Sequence, residues 1–278
     1  FLPLGGCNEI GMNLNAYAYG NPPNRKWILV DMGVSFGDER TPGIDVICPD
    51  PAFLEDHVDD IEAIILTHAH EDHIGAVGHL WDRFKKPLYA TPFTAELIRG
   101  KLDDANVGDA ANLITVPLGA KIEVGPFRLE YVTLTHSIPE PNGLIIETDS
   151  GTILHTGDWK IDPDPLIGGS FDSERLEKLG NDGVLAMVCD STNVFEEGEA
   201  GSELSCKVEL KKLISEQTGR VAVTAFASNV ARVQSIIEAA TECERHVCLV
   251  GRSMHRITSA AKAVGMLADI PPFVEEKD

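Results

Sequence analysis

Three imidazoles and a carboxylate fall within six residues in the run Thr67-His-Ala-His-Glu-Asp-His-Ile-Gly75, at His68, His70, Asp72 and His73. Neutral imidazole and carboxylate are ligands for zinc, manganese or iron, and a working site gathers three or four of them while leaving a position for water. An apolar β-branched stretch, Ile61 to Leu66, precedes the run, and Ile74, Val77, Leu80, Trp81 and Phe84 follow it at helical spacing. The four groups therefore stand at the carboxyl end of a strand, the edge where open α/β sheets usually carry chemistry. His68 and His70 share a face if the extended backbone persists, whereas Asp72 and His73 leave the turn in another direction. Two directions point to two metals.

Further candidates close later strands. His136 ends Phe127 to Leu134 in Thr135-His-Ser-Ile-Pro139, Asp158 lies in His155-Thr-Gly-Asp-Trp159, and Asp31 ends Trp27 to Val30. Each alone reads equally as an ordinary turn or core residue. His57 and His79 read as surface or helix-packing residues, His155 as a neighbour of the site loop, and Glu203 as a favourable charge near a helix N-terminus.

The elements that must position these groups fall into two blocks. Strands are expected at 13–19, 27–31, 61–66, 88–90, 113–116, 121–124, 127–134, 144–148, 152–156 and 184–189, separated by Gly, Pro and Asn-Gly punctuation. A helix follows the metal run, and another is expected over Thr94 to Leu102. After Asp190-Ser-Thr-Asn193 the rhythm changes to helix 204–217, strand 220–226, helix 229–241, strand 246–251 and helix 254–267, the alternation of a parallel α/β unit. The Gly/Glu-rich segment Phe195 to Ser202 marks the boundary, which divides the chain into domains 1–194 and 195–278.

The chain has 278 residues and 43% apolar content, enough for a substantial core, and no apolar run approaches the ~20 residues of a membrane span. No membrane association and a cytoplasmic location are expected. The six cysteines lack CxxC spacing and read as buried thiols in a reducing compartment. A net charge of −21 argues against a surface that attracts polyanions everywhere, but a bound dication can invert the field at one site. The chain opens at Phe1 without Met and stops at Glu275-Glu-Lys-Asp278, so a longer protein trimmed at both ends is expected.

The ordering Asp31, His68-x-His70-x-Asp72-His73, His136, Asp158 resembles the metallo-β-lactamase superfamily. With Gly5-Gly6-Cys-Asn-Glu-Ile-Gly-Met-Asn13, Asp190-Ser-Thr-Asn193, Phe226-Ala-Ser-Asn229 and Gly251-Arg-Ser-Met254, the set resembles the ribonuclease J branch of the β-CASP nucleases from one end of the chain to the other. The resemblance implies an αββα sandwich of two packed sheets flanked by helices, followed by part of a parallel α/β β-CASP domain that is incomplete at its C-terminus. It implies two divalent metals, zinc first, with manganese or magnesium as alternatives. His68, His70 and His136 would hold one metal, Asp72 and His73 the second, and Asp158 would bridge them. Asp31 would orient a ligand from behind, and Asp190 matches the first acidic β-CASP motif. Two later histidine-bearing motifs have no match before Asp278, and one of them normally completes the second metal's shell.

The implied activity is hydrolysis of RNA phosphodiesters, 5′-to-3′ exonucleolytic and endonucleolytic, by a hydroxide activated between two metals, with Asp72 or Asp158 orienting it or taking its proton. The implied partners are RNA, preferably 5′-monophosphorylated, and further copies of the full-length protein. Ser228 and Arg252 are candidates for phosphate contact, and Arg232, Arg256 and Lys160 for local positive charge. Ser228 reads equally as a plain helix N-cap. Two rival readings are a thioesterase or lactonase on the same fold, which would lack the block after Phe195, and a non-catalytic RNA-processing scaffold, which the intact ligand set disfavours.

Overall fold

The computed structural model of the chain describes residues 1–275; Glu276, Lys277 and Asp278, part of the terminal run noted above, lie outside them. In chain order the strands are β1 Leu2–Gly5, β2 Leu14–Tyr19, β3 Lys26–Val30, β4 Ser35–Phe36, β5 Val46–Ile47, β6 Ile61–Ile65, β7 Leu88–Ala90, β8 Leu113–Thr115, β9 Lys121–Val124, β10 Phe127–Thr133, β11 Asn142–Thr148, β12 Gly151–His155 and β13 Ala186–Val188. The helices are α1 Ala52–Glu55, α2 Glu71–Ile74, α3 Val77–Phe84, α4 Pro92–Asp104, α5 Ser173–Asp182, α6 Glu203–Ser215, α7 Val230–Glu242 and α8 Arg252–Ala263.

One six-stranded sheet has the order β1-β2-β3-β6-β7-β8, and a five-stranded sheet has the order β13-β12-β11-β10-β9. From β3 through β8 the first sheet is parallel, while β1 and β2 pair antiparallel. Alternation along β3 decides what each face meets, because successive side chains point to opposite sides of a strand. Ile28 and Val30 join Ala63 and Ile65 against Phe127, Leu129, Tyr131, Leu144 and Ile146 of the second sheet. Trp27 and Leu29 face the other way, into Val77, Leu80, Trp81, Phe84, Phe93 and Ile98 of the helices. On the outer face of the second sheet Val132 and Ile145 pack against Leu179 of α5. The result is the expected αββα layering, held by apolar side chains each worth roughly 1.5–3 kcal/mol of burial.

The helices of the later block occupy their expected segments, and α8 lies on α4, where Ala260 and Ala261 join the helix-side core and Arg256 Nη2 sits 2.9 Å from Asp104 Oδ2. The two strands expected at 220–226 and 246–251 form no ladder among the described residues. Both carry β-branched residues, but a strand needs a neighbour, and here Phe226 is 86% and Val250 71% exposed. Two other expectations are corrected, and one helix was not foreseen. The helix after the metal run is two helices, broken where Gly75 brings its Cα so close to Val34 that a Cβ would meet Val34 Cγ2 at 2.5 Å. Helix α5, polar over most of its length, escaped the apolar-periodicity reading. No cysteine is in the core: Cys7 and Cys189 are exposed, the other four are half-buried, and all are free thiols. No described helix is long and apolar enough to cross a membrane.

Candidate metal centre

Backbone bonds fix the site before any side chain does. The short helix α2 offers its carbonyls to neighbouring segments: Val34 N–H donates to Glu71 O at 3.0 Å, Asn13 N–H to Asp72 O at 2.9 Å and Met32 N–H to His73 O at 2.7 Å. That docking requires Gly33, since a Cβ there would lie 1.6 Å from Asp72 O. Asp31, directly after β3, is held at φ 65°, a left-handed conformation that non-glycine residues rarely adopt, and this turns its carboxylate inward. Gly157, at φ +56°, makes the corresponding turn ahead of Asp158.

Two groups of ligand-type side chains result. His68, His70, His136 and Asp158 form one, and Asp72, His73 and Asp158 the other, with all ligand atoms of each group within 4.8 Å of one another. In the first, His68 Nε2 and His136 Nε2 lie 3.1 Å and 3.2 Å from His70 Nδ1, and they are 4.0 Å and 3.7 Å from Asp158 Oδ2. In the second, His73 Nε2 is 3.2 Å from Asp158 Oδ1 and 3.5 Å from Asp72 Oδ2. The two oxygens of Asp158 thus face separate clusters. His68 and His70 fall in the first group and Asp72 and His73 in the second.

Hydrogen bonding sets which ring nitrogens are free. Asp31 is fully buried, and as a carboxylate it only accepts. It takes His73 Nδ1–H at 2.7 Å, Thr67 N–H at 2.8 Å and Thr67 Oγ1–H at 2.9–3.0 Å. The Thr67 hydroxyl, its proton committed, accepts His68 Nδ1–H at 3.0 Å. One carboxylate therefore orients a histidine of each cluster, holding Nδ1 of both outward and turning Nε2 of both inward, where a bound metal would replace any proton His73 carries there. Burial pushes His68 well below the usual imidazole range, takes His70 to about 3 and lowers His136, in each case helped by neighbouring histidines. His73 behaves oppositely: burial disfavours its cation, but Asp31 and Asp158 outweigh that and hold its pKa well above the ordinary value. Asp158, despite burial, is brought to about 2 by His73, His136 and His70. Burial raises Asp72, partly offset by His73. The neutral imidazoles of His68, His70 and His136, with ring nitrogens gathered about one point beside an ionised carboxylate, are suited to a cation between them. This donor set fits divalent metal ions.

A cleft of about 400 Å³ opens on the second cluster and is lined by Asp72, His73, Asp158, Asp190 and the loop from Gly6 to Asn13. Asp190 sits at its rim, its N–H bonded to Thr156 Oγ1 at 3.1 Å. Ser228 and Arg252 are not among its lining residues. The cap of α7 is Asn229, whose Oδ1 accepts Arg232 N–H at 2.9 Å, rather than Ser228. Arg232 and Lys160 are drawn to Glu203, and Arg256 to Asp104, so these cations are already paired. Sequence reasoning assigned no role to Asn13, the last residue of the Gly5–Asn13 motif, whose Nδ2 lies 3.2 Å from His73 Nε2 and 3.4 Å from Asp72 Oδ2. It likewise missed Thr67, and the buried bond between Tyr17 OH and His155 Nδ1 at 2.8 Å beside the cleft. A hydroxyl's role depends on what lies behind it in space, and no local spacing signals that.

The family model described as the metallo-beta-lactamase superfamily matches residues 11–220, and that described as the ribonuclease J beta-CASP domain matches residues 218–278. Proteins named ribonuclease J from Sinorhizobium meliloti and Thermus thermophilus are 46% and 38% identical to this chain over 100% and 96% of its length. One from Corynebacterium glutamicum is 40% identical over 95%. The chain spans 49%, 47% and 36% of those relatives respectively, about half their length or less. A crystal structure of a protein of unknown function from Enterococcus faecalis superposes with a TM-score of 0.65 at 18% identity, over 96% of this chain and 71% of that one, which is a likeness of fold. By its sheets, its ligand order and these matches, the chain belongs to the metallo-β-lactamase superfamily, and its residues 218–278 match the ribonuclease J beta-CASP domain.

Proposed function

We propose that this chain carries the hydrolytic centre of a ribonuclease J-type enzyme that cleaves RNA phosphodiesters with two divalent ions. The ions would be held by His68, His70, His136 and Asp158 on one side and by Asp72, His73 and Asp158 on the other. The observation that carries the reading is the placement of Asp158, whose two oxygens face the two clusters from between them. Divalent ions there supply Lewis acidity toward the phosphodiester and make water a competent nucleophile at neutral pH. The chain's own groups do the rest. Asp158, with its pKa at about 2, stays ionised through the working range. Asp72, on the cleft and raised by burial, is the group best suited to take the proton of the attacking water. Asp31 holds His73 and, through Thr67, His68 in the tautomers that leave Nε2 free.

The division into a metallo-β-lactamase domain over 1–194 and part of a β-CASP domain over 195–278 belongs to this proposal. So do zinc as the resident metal ahead of manganese or magnesium, 5′-monophosphorylated RNA as the preferred substrate, exonuclease and endonuclease modes, self-association and a cytoplasmic location. The test uses a 5′-monophosphorylated, 3′-labelled RNA oligonucleotide with zinc or manganese, in parallel with a thioester and a lactone. Stepwise shortening from the 5′ end that chelator abolishes is expected. Turnover of thioester or lactone with RNA left intact would overturn the assignment.

A further inference from the structure

We infer that Glu203 is a positioning residue for the three-histidine cluster, tying helices α6 and α7 to the two segments that carry His136 and Asp158. The inference rests on the metal-site reading above. Glu203, the first residue of α6, is only 6% exposed, although a carboxylate that merely favours a helix N-terminus has no need of burial. Its Oε1 accepts Asn229 Nδ2 at 3.2 Å, and Arg232 donates to both oxygens, from Nε at 3.0 Å and from Nη2 at 3.3 Å. Its own N–H donates to Asp162 Oδ2 at 3.0 Å. Lys160 Nζ stands 3.5 Å from Asp162 and 3.6 Å from Glu203, so two carboxylates meet two cations in a largely buried, balanced set.

The connection to the cluster is continuous. Asp162 N–H donates to Thr135 Oγ1 at 3.1 Å, that hydroxyl donates to Lys160 O at 2.5 Å, and Lys160 N–H donates to Thr135 O at 2.8 Å. Thr135 precedes His136, and Lys160 stands two residues after Asp158. A continuous chain of contacts thus runs from α7 to the backbone beside two ligands, and within it the Glu203 side chain joins α6 and α7 to Lys160 of the ligand loop. Removing its charge leaves Arg232 without its carboxylate partner and Lys160 with Asp162 alone, in a partly buried setting. The strain falls on the segments bearing His136 and Asp158.

The test is Glu203→Gln in the full chain, with Co²⁺ affinity at each site measured by competition with a chromophoric chelator and the visible Co²⁺ spectrum recorded. Sites are assigned from His136→Ala and Asp72→Ala. Affinity at the three-histidine site should fall about tenfold with a changed spectrum, as outer partners of ligands typically cause, and the Asp72–His73 site should hold its wild-type value. Arg232→Met attacks the same link from a more exposed position and should act alike even if Glu203→Gln does not fold. Glu238→Gln breaks the Lys207–Glu238 pair, which also joins α6 to α7 but leads nowhere near the cluster, and should change neither affinity. Two metals bound with wild-type affinity and spectrum in both Glu203→Gln and Arg232→Met, or an equal loss in Glu238→Gln, would overturn the inference alone. A wild-type chain that binds no metal would overturn the metal-site reading with it.

Discussion

Replacing Asp31 by Asn changes one atom and should disturb both clusters. Asn tolerates the left-handed backbone at this position at least as well as Asp, so the substitution isolates electrostatics from strain. Three donors converge on the carboxylate: Thr67 N–H, Thr67 Oγ1–H and His73 Nδ1–H, at 2.7–3.0 Å. A carboxamide has one oxygen and an NH₂ group. If the oxygen stays with Thr67, NH₂ faces His73 Nδ1, which must give up its proton, so the ring is left protonated only at Nε2, pointing at Asp72 and Asp158. If the amide turns over, Thr67 N–H is left without an acceptor in a fully buried position. Either arrangement costs about 1–3 kcal/mol, and the first also loses about 10–100-fold in affinity at the Asp72–His73 site. The metal-free protein adds a pH signature. Because His73's folded pKa is raised, the stability from its Asp31 pair is fully present below the unfolded value near 6.5 and is lost as pH rises through the folded pKa. The deficit of Asp31→Asn against wild type, read from urea melts of chelator-treated protein, should therefore be largest in acid and shrink in base. Wild-type affinity at both sites together with a pH-independent deficit would refute the role given to Asp31.

Asp72→Ala should abolish RNA hydrolysis while leaving the circular dichroism spectrum unchanged; turnover surviving in metal-supplemented buffer would remove Asp72 from the mechanism. Chelation should lower Tm, and restoring metal at a hundred times its Kd should return about 2.7 kcal/mol; a Tm indifferent to metal would speak against an occupied native site. His155 is taken to about 4 by burial, so metal-free protein should lose stability as pH falls from about 6.5 to about 4, where the unfolded chain takes up a proton that the folded chain refuses. His155→Gln should flatten that window in acid denaturation curves, and an unchanged slope would mean that other groups produce it.

Much of the site was legible because ligand chemistry is local. His68, His70, Asp72 and His73 are adjacent in sequence, and His136 and Asp158 follow strand ends, which a parallel or mixed sheet brings to one edge. Strand alternation was readable for the same reason: β3 and β6 sort their side chains between two layers by position alone. What escaped reading depends on partners distant in sequence. Glu203 looked like a helix-end charge because Asp162, Asn229 and Arg232 become its neighbours only after folding. Arg232 looked available to phosphate for the same reason. The segments at 220–226 and 246–251 have strand composition, but composition supplies no neighbour to pair with. Thr67 and Asn13 lie inside recognised motifs, yet their roles follow from which lone pairs they face.

The central claim is that two divalent ions sit on either side of Asp158. Anomalous diffraction from crystals grown with zinc or manganese, recorded above and below the metal edge, measures this directly. Two peaks are predicted, one among His68, His70, His136 and Asp158 Oδ2, the other among Asp72, His73 and Asp158 Oδ1. A single peak, or peaks elsewhere with these side chains still bonded to one another, would contradict the account.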